Sequence, residues 1–259
     1  MKICVLMKQV PDKNSSLMIS EDKCSLKTDN ITWVSNESDN YALEEALLIK
    51  ESHGGEVVAC TLGPQSSSQV LKDAMAKGAD RSILISDDQF NHLDILSLAK
   101  VFASALQNEK FDLILSGLQS DDQGNSQLGI ILAELLNMSH ASLVMGTEIL
   151  NEQSIKVKRE LESGWFQWTE LSLPCSISIQ SGINTPRYAT LKGIMMVKNK
   201  TTEHMTAQNL NSDIKTSLIN VEKLYVPEKS KETIFLEGSS DVIVEKLIDV
   251  FKNDMKVMN

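Results

Sequence analysis

The sequence predicts an α/β protein with a mostly parallel sheet flanked by helices, an antiparallel hairpin, and an extended C-terminal arm that ends in a helix. Three observations lead to this prediction. Short apolar runs alternate with helical patterns through the first half of the chain. Two runs that alternate at period two surround a turn near residue 163, and a strong amphipathic pattern closes the chain. Strand–helix alternation of this kind indicates parallel strands joined by right-handed crossovers.

The first half supplies the core of this Rossmann-like arrangement. Glu44 and Glu45 of the first helix are expected to face water, opposite its apolar stripe. Gly78 stands at the expected C-cap of the second helix. Ser66-Ser67-Ser68 follows Gly63-Pro64 and is expected to provide the N-cap of that helix. The predicted strands are 2–7, 56–62, 82–86, 111–116 and 141–145, and the predicted helices are 40–52, 66–77, 93–107 and 125–136.

The remaining segments depart from the strand–helix alternation. Residues 17–34 suggest a small antiparallel excursion before Trp33. Runs 155–161 and 165–171 predict a hairpin, and 175–180 predicts the next strand. The last helix opens at Ser239 and aligns Val244, Leu247, Ile248, Phe251 and Met255 on one face. We therefore divide the chain into a domain at 1–185, a loop at 186–204 and an arm at 205–259, which packs either on its own domain or on a partner subunit.

Composition excludes several classes of function. The chain has 259 residues and a formal charge of -10, which argues against binding to nucleic acid. No run approaches the ~18 apolar residues of a membrane span, and the N-terminal apolar run is too short for a signal peptide. The four cysteines form no CxxC pair and the four histidines are isolated. We expect no metal site, reduced core thiols and a bacterial cytoplasmic location.

The stretch 116-SGLQSDDQGNSQLGIILAELL-136 is the main candidate for a ligand site. It places a polar cluster between a predicted strand and a predicted helix, where open α/β sheets hold ligands and helix N–H groups attract phosphate. Gly117 and Gly124 allow close approach of the backbone, while Asp121 and Asp122 are expected to cap the helix or to accept from ribose hydroxyls. A polar helix cap without a ligand is the alternative. The chain contains neither GxxxxGK[ST] nor GxGxxG.

Several segments together resemble the β subunit of electron transfer flavoproteins. They are 36-NESDNYALEEALLIKE-51, 77-KGADRSILI-85, 117-GLQSDDQGNSQLGIILAELL-136, 158-KRELESG-164 and 186-PRYATLKGIMMVKNK-200. The tail 225-YVPEKSKETIFLEG-238 is most similar to the subgroup that serves trimethylamine-type dehydrogenases of bacteria. The resemblance implies a heterodimer whose α subunit holds most of a redox-active FAD in a mobile domain. It also implies that the β subunit holds a structural AMP, or a second FAD in electron-bifurcating members.

The resemblance also implies which residues hold the nucleotide. Asn36-Glu37-Ser38-Asp39 departs from the Asn-Pro-aromatic pattern of many relatives, and Lys13 and Ser38 fall where relatives approach the flavin ring. The implied cofactor-binding residues are Leu6, Lys8, Gln9, Asn36, Ser38, Asp39, Leu62, Gly117, Gln119, Ser120, Asp121, Asp122, Gln123, Gly124, Asn125, Ser126, Gln127 and Leu128.

Partner contacts follow from the same resemblance. Leu191, with Ile194 and Met195, resembles a loop that inserts a leucine into a flavoprotein dehydrogenase, and an exposed apolar run flanked by lysines suits such an anchor. Arg159 and Glu160 match a pair on which the α-subunit flavin domain rests. The family passes its electrons towards a membrane quinone oxidoreductase. Without the resemblance, the patterns are equally consistent with a stand-alone nucleotide-binding regulatory protein.

Overall fold

A computed structural model describes residues 1–210, 217–228 and 233–257 of the chain. The described residues form two compact units, Met1–Glu222 and a second unit that begins at Lys223. Parts of the predicted arm, including positions 229–232 of the tail used for the subgroup resemblance, lie outside the described residues.

A nine-stranded sheet forms the centre of the first unit. Its order is β11-β5-β4-β1-β6-β10-β7-β8-β9, and all neighbouring pairs are parallel except β7–β8 and β8–β9, which are antiparallel. The strands are β1 Lys2–Leu6, β4 Glu56–Leu62, β5 Arg81–Ile85, β6 Leu113–Gly117, β7 Ser139–Asn151, β8 Ser154–Glu160, β9 Phe166–Ser172, β10 Cys175–Ile179 and β11 Thr202–Met205. A separate antiparallel pair joins β2 Gln9–Pro11 to β3 Trp33–Ser35.

The strand order reverses direction at β1. The chain runs from β1 to β4 and β5 on one side, and then returns to place β6 and β10 on the other side. In doubly wound sheets such a switch point opens a crevice outside the carboxyl ends of the strands, and ligands bind there.

Helices cover both faces of the sheet. They are α1 Glu37–His53, α2 Ser68–Lys77, α3 Ile95–Leu106, α4 Leu128–Leu135 and α5 Leu191–Met196. One apolar core joins α1 and α2 to the sheet face that carries Ile3 and Val5. A second core joins α3 and α4 to the opposite face, which carries Cys4 and Cys60. Side chains alternate along a strand, so neighbouring residues of β1 enter different cores.

The predicted elements agree with this architecture. Most differ only slightly at their ends, but β7 continues to Asn151, six residues beyond its predicted end, and pairs there with β8. The structure confirms the five early strands, the four early helices, the hairpin over β8 and β9, and β10. It also confirms Gly78 as the C-cap of α2 and the burial of Cys4, Cys60 and Cys175 as free thiols. The antiparallel excursion appears as the β2–β3 pair, to which Trp33 itself belongs, and as a bridge between Ile19 and Leu26.

One expectation about the helices is wrong, and another holds for the position of the N-cap but not for its hydrogen bond. Glu44 and Glu45 are buried rather than exposed, because residues 184–187 and β7 cover this part of α1. Ser67 stands at the N-cap of α2 without a capping hydrogen bond; its hydroxyl donates instead to Gln9 Oε1 at 3.3 Å. A short 3-10 helix at Gln65–Ser67 leads directly into α2. The backbone of Ser67 is therefore already helical, unlike that of a typical N-cap residue.

Two short elements in the region after Pro186 have no counterpart in the prediction. α5 spans only six residues, and β11 pairs in parallel with β5 at the edge of the sheet. Both lack a periodic apolar pattern, because each packs through a few backbone contacts rather than through an apolar face. In the second unit, α6 Ser240–Asp249 begins where the sequence predicts and continues into a π-helical turn at Val250–Asp254.

Candidate functional site

A cleft lies at the switch point, at the carboxyl ends of the parallel strands. The space between its walls, together with the solvent at its open mouth, amounts to about 790 Å³. Its lining combines an apolar wall with a polar rim: Leu6, Met7, Lys8, Asn36, Asp39, Leu62, Ile95, Leu98, Phe102, Ser116, Gly117, Leu118, Gln119, Ser120, Gln123, Asn125, Ser126, Gln127, Leu128, Gly129, Ile130 and Ser178.

Asp39 joins three elements at the base of the cleft. Its carboxylate accepts the backbone N–H of Lys8 at 2.7 Å and that of Gly117 at 3.0 Å. Lys8 follows β1, Gly117 ends β6, and Asp39 lies in the first turn of α1. Burial raises the pKa of Asp39 to about 7, although hydrogen bonds from Asn36, Lys8 and Gly117 act in the opposite direction. This carboxylate fixes the spacing of the two strand ends.

Asn36 and Ser38 hold the turn after β6 against the start of α1. The Asn36 amide donates to the carbonyl oxygen of Gln119 at 2.9 Å, and the Ser38 hydroxyl donates to the same oxygen at 2.7 Å. The Asn36 side-chain oxygen accepts the backbone N–H of Asp121 at 2.9 Å. The polar loop is therefore positioned by buried hydrogen bonds that leave its outer side chains exposed.

Lys8 bridges the mouth of the cleft. Its ammonium group pairs with Asp122 at 2.7 Å and also donates to Gln123 Oε1 at 3.1 Å and Ser120 Oγ at 3.3 Å. Lys8 thereby ties the end of β1 to the loop between β6 and α4. Because Lys8 and Asp122 are both partly exposed, the pair can open without exposing a buried charge.

The N-terminal end of α4 faces the cleft. Gln127, at the N-cap, forms no capping hydrogen bond with its side chain, and the first turn carries no acidic residue. The first N–H groups of a helix have no partner within it and lie at the positive end of its dipole. The hydroxyl oxygen of Ser116 is buried and has no hydrogen-bond partner among the described residues. A Cβ on Gly129 would lie 2.8 Å from that oxygen, so Ser116 is directly beneath the first turn.

Most of the sequence-predicted cofactor residues line this cleft. Five do not: Gln9, Ser38, Asp121, Asp122 and Gly124. Ser38 and Asp122 support lining residues through the contacts described above. The carboxylate of Asp121 accepts the backbone N–H of Glu37 at 3.3 Å, so it interacts with the start of α1 rather than α4. Gly124 has a φ of 61°, in the left-handed region that favours glycine, and turns the loop towards α4.

The sequence did not reveal several of the apolar and deep residues. Ile95, Leu98 and Phe102 of α3 form one wall, and Ser178 of β10 lies in the lining. The α3 residues follow the ordinary apolar spacing of a core helix, and Ser178 occupies an alternating position in a buried strand. These residues could be found only from the topology of the sheet. β10 is the neighbour of β6, and α3 packs on the same face of the sheet as α4.

A second feature of the first unit is an exposed apolar segment at residues 188–196. Tyr188 is 92% exposed, Leu191 77%, Met195 62% and Ile194 56%. Thr190 caps α5 by accepting the N–H of Gly193 at 3.0 Å. The helix cap thus fixes the backbone of the segment, while its large apolar side chains face solvent.

Arg159 and Glu160, the other predicted partner residues, lie at the end of β8. Arg159 Nε donates to the carbonyl oxygen of Ser142 at 3.1 Å, and Glu160 accepts from the Gln180 amide at 3.0 Å. Both side chains are partly buried. They are therefore held at the surface by contacts with neighbouring strands.

The part of the chain that the structure describes contains no group of three or more His, Cys, Asp or Glu side chains placed to hold a metal ion. No helix in that part is both long and apolar enough to cross a membrane.

The fold and the cleft together define a doubly wound α/β protein with an open cleft at the switch point of its sheet. Residues 24–210 match the model of the electron transfer flavoprotein domain. The chain is 34% identical to the mitochondrial electron transfer flavoprotein subunit beta of Oryza sativa subsp. japonica, with 100% of both chains covered. It is 33% identical to the electron transfer flavoprotein subunit beta of Methylophilus methylotrophus, over 99% of both chains, and 31% identical to that of Bacillus subtilis, over 100% of both. The chain therefore belongs to the electron transfer flavoprotein β-subunit family, whose function is electron transport.

Proposed function

We propose that the chain is the β subunit of a heterodimeric electron carrier that binds one AMP in the cleft. In this proposal an α subunit holds the redox-active FAD in a mobile flavin domain, and the β subunit provides a rigid surface against which that domain rests. Electrons pass from flavoprotein dehydrogenases through that FAD towards a membrane quinone oxidoreductase. The observation that carries the AMP assignment is the uncapped N-terminus of α4 above the unpaired hydroxyl of Ser116.

The polar end of the cleft suits a phosphate group. The first N–H groups of α4 would donate to phosphate oxygens, and Asn125, Ser126 and Gln127 add side-chain donors beside them. Ser116 would gain a hydrogen-bond partner from the same group, which offsets the cost of its burial. The carboxylates around this end have other partners: Asp122 is paired with Lys8, Asp121 interacts with the N-terminus of α1, and Asp39, which lines the cleft, accepts the N–H groups of Lys8 and Gly117.

The apolar end of the cleft suits an adenine base. Leu6 and Leu62 end neighbouring strands there, and Leu98 and Phe102 of α3 form the opposite wall. A flat heterocycle between such walls leaves water and buries apolar surface. The cleft thus has the two-ended character of a mononucleotide: a base between apolar side chains and a phosphate at a helix terminus.

The partner assignments rest on the family resemblance together with the exposed features. The segment at 188–196 would insert Leu191, with Ile194 and Met195, into an apolar pocket of the dehydrogenase. Arg159 and Glu160 would contact the flavin domain of the α subunit, and the part of the arm beyond Glu222 would pack on that subunit. The four free thiols support a reducing compartment, and we propose the bacterial cytoplasm.

The nucleotide content of the purified heterodimer tests the proposal. The chain is co-expressed with its α subunit, the complex is denatured, and the released nucleotides are separated and quantified. We expect about one AMP and one FAD per heterodimer. Two FAD and no AMP would replace the proposal with an electron-bifurcating function. A colourless homodimer that does not form a complex with an α subunit would favour the regulatory protein instead.

A further inference from the structure

Arg187 immediately precedes the exposed segment and is held by two carboxylates of α1. Its Nε and Nη2 atoms donate to Glu44 Oε2 and Oε1 at 2.8 and 2.9 Å. Its Nη1 and Nη2 atoms donate to the two oxygens of Glu51 at 2.5 and 3.2 Å. The backbone N–H of Arg187 also donates to Glu44 at 3.1 Å. This planar, bidentate pairing fixes direction as well as distance, which a lysine could not do.

The neighbouring carboxylate anchors the chain just before Arg187. Glu45 accepts the amide of Asn184 at 2.9 Å and the hydroxyl of Thr147 at 2.5 Å. The Asn184 amide also donates to the carbonyl oxygen of Tyr41 at 3.1 Å. Two adjacent glutamates that the sequence pattern would leave in water are therefore buried because they hold residues 184–187 against α1.

The far side of the segment is fixed to α2. A side chain on Gly193 would overlap the carbonyl oxygen of Ala76, so α5 approaches the end of α2 as closely as backbone allows. Beyond α5, Lys200 donates to the carbonyl oxygens of Met75 at 2.8 Å and Ala79 at 2.6 Å. The segment at 188–196 is thus attached before, within and after its exposed apolar side chains.

We propose that Arg187, clamped by Glu44 and Glu51, is a positioning residue that pre-organises the segment at 188–196 for docking to an electron-donating dehydrogenase. This inference rests on the proposed function, because it takes the segment to be the docking surface. A mobile loop must lose conformational freedom when it binds, whereas a segment already held in its bound shape loses little. Tyr188 is the next residue after Arg187, and Leu191 is four residues after it. The clamp therefore holds the backbone at the start of the segment while these apolar side chains face water.

Arg187 acts through the segment rather than by touching the partner. Its guanidinium donates to two carboxylates, and the side chain of Glu44 is only 7% exposed. The helix that carries this clamp also carries Asn36, at its N-cap, and Asp39, in its first turn. The same helix therefore positions both the cleft and the docking segment, so their relative placement is set by one rigid element.

Two variants of the full heterodimer test the clamp. Arg187→Lys keeps the charge near Glu44 but loses the bidentate geometry. The double variant Glu44→Gln/Arg187→Gln removes both charges, so no buried carboxylate is left unpaired if the single variant folds poorly. Arg81→Gln is the matched control, because Arg81 is also held by carboxylates, Glu56 at 2.8 Å, Glu109 at 2.5 Å and Glu203 at 3.9 Å, none of which belongs to residues 184–196.

Two measurements are made on each variant: amide hydrogen exchange of residues 188–196, and steady-state electron transfer from a trimethylamine-type dehydrogenase. For both clamp variants we expect faster exchange in the segment and an apparent KM for the donor that rises about three- to tenfold, as lost pre-organisation predicts. The limiting rate and the FAD and AMP content should stay unchanged. The Arg81 control should leave exchange in the segment and KM unchanged.

Three outcomes would overturn the inference. One is unchanged exchange in folded clamp variants; another is a raised KM without faster exchange, which would mean that Arg187 contacts the donor directly. The third is a case in which Leu191→Ala raises KM but the clamp variants do not, although exchange in the segment is faster in the clamp variants. If Leu191→Ala also leaves KM unchanged, the segment is not the docking surface, and the proposed function of the segment is wrong. Faster exchange in the clamp variants would then still show that Arg187 holds the segment.

Discussion

The carboxylate of Asp39 accepts the backbone N–H of Gly117 at 3.0 Å and so attaches α1 to the last residue of β6. Its other oxygen accepts the N–H of Lys8, two residues after the end of β1. β1 and β6 are the neighbouring strands at the switch point of the sheet. One buried side chain thereby sets the width of the cleft at its base.

The burial of Asp39 should make the stability of the protein depend on pH. The pKa of Asp39 is about 7 in the folded protein against an ordinary value of 3.8. Between about pH 4 and pH 7 the unfolded chain loses a proton that the folded chain retains. The free energy of unfolding should therefore fall as pH rises through this window and level off above it, by up to about 4 kcal/mol at ~1.4 kcal/mol per pKa unit.

Urea unfolding of the wild type and Asp39→Asn across this pH window measures the contribution. Asparagine does not titrate, so the difference in stability between the two proteins should change with pH in the direction given above. At the low end of the window, where Asp39 is protonated, the variant should be the less stable protein, because its amide group cannot accept both N–H groups. A pH dependence identical in the two proteins would show that Asp39 is ionised throughout.

Gly117→Ala should weaken nucleotide binding at least about tenfold. A Cβ at this position would overlap the hydroxyl of Ser38 and the carboxylate of Asp39, so β6 would have to move away from α1 at the cleft. We expect the released AMP to fall at least about tenfold, at ~1.4 kcal/mol per tenfold change. Gly146→Ala is the control, since its Cβ would meet no atom closer than 3.4 Å. Full AMP content in Gly117→Ala would place the nucleotide elsewhere.

Ser116→Ala separates ligand binding from stability. The hydroxyl of Ser116 has no partner within the described residues, so its removal should leave the nucleotide-free protein equally stable or slightly more stable. Binding of AMP should weaken, by about 0.5–1.5 kcal/mol for a lost hydrogen bond. Ser176→Ala is the contrast, because the Ser176 hydroxyl donates to the carbonyl oxygen of Gly129 at 3.0 Å and should cost stability. Calorimetric titration with AMP would show the difference, and unchanged affinity in Ser116→Ala would contradict the phosphate assignment.

The sequence was sufficient for the fold where local pattern and burial agree. The apolar runs of β1 and β4 are buried on both faces, and their alternation with helices leaves few topologies. It was insufficient for α5 and β11, where packing depends on single contacts such as Gly193 against Ala76. It was misleading at Glu44 and Glu45, because helical periodicity contains no information about hydrogen-bond partners about 140 residues later in the chain.

The candidate site shows the same division. The polar loop at 117–127 was visible because its composition interrupts a strand-to-helix transition. Phe102 and Leu98 were not, since an apolar residue facing a ligand is indistinguishable in sequence from one facing a core. The roles of Asp121 and Asp122 could not be separated either, because their partners, Glu37 and Lys8, are far away in the sequence.

Lys8→Met should accelerate nucleotide exchange. Lys8 ties β1 to Asp122, Ser120 and Gln123 across the mouth of the cleft, and methionine retains the apolar stem while removing the donor. We expect AMP to dissociate up to about fivefold faster, as suits a partly exposed ion pair of about 1 kcal/mol or less. Lys13→Met is the control, because the ion pair of Lys13 with Glu37 is long, at 3.8 Å, and the Lys13 side chain is 83% exposed. Release of labelled AMP after dilution distinguishes the two, and equal rates in both variants would show that the bridge does not retain the ligand.

Leu191→Ala should impair docking without affecting the fold. Because the side chain is 77% exposed, its truncation should change the free energy of unfolding by less than about 0.5 kcal/mol. Burial of this leucine in a partner would contribute ~1.5–3 kcal/mol, so the apparent KM for the donor dehydrogenase should rise about tenfold or more. Leu17→Ala is the matched control, since Leu17 is also exposed but lies outside the segment. Steady-state electron transfer and thermal melting are measured on the same preparations, and an equal loss of stability and transfer would show that Leu191 supports the fold and not the partner.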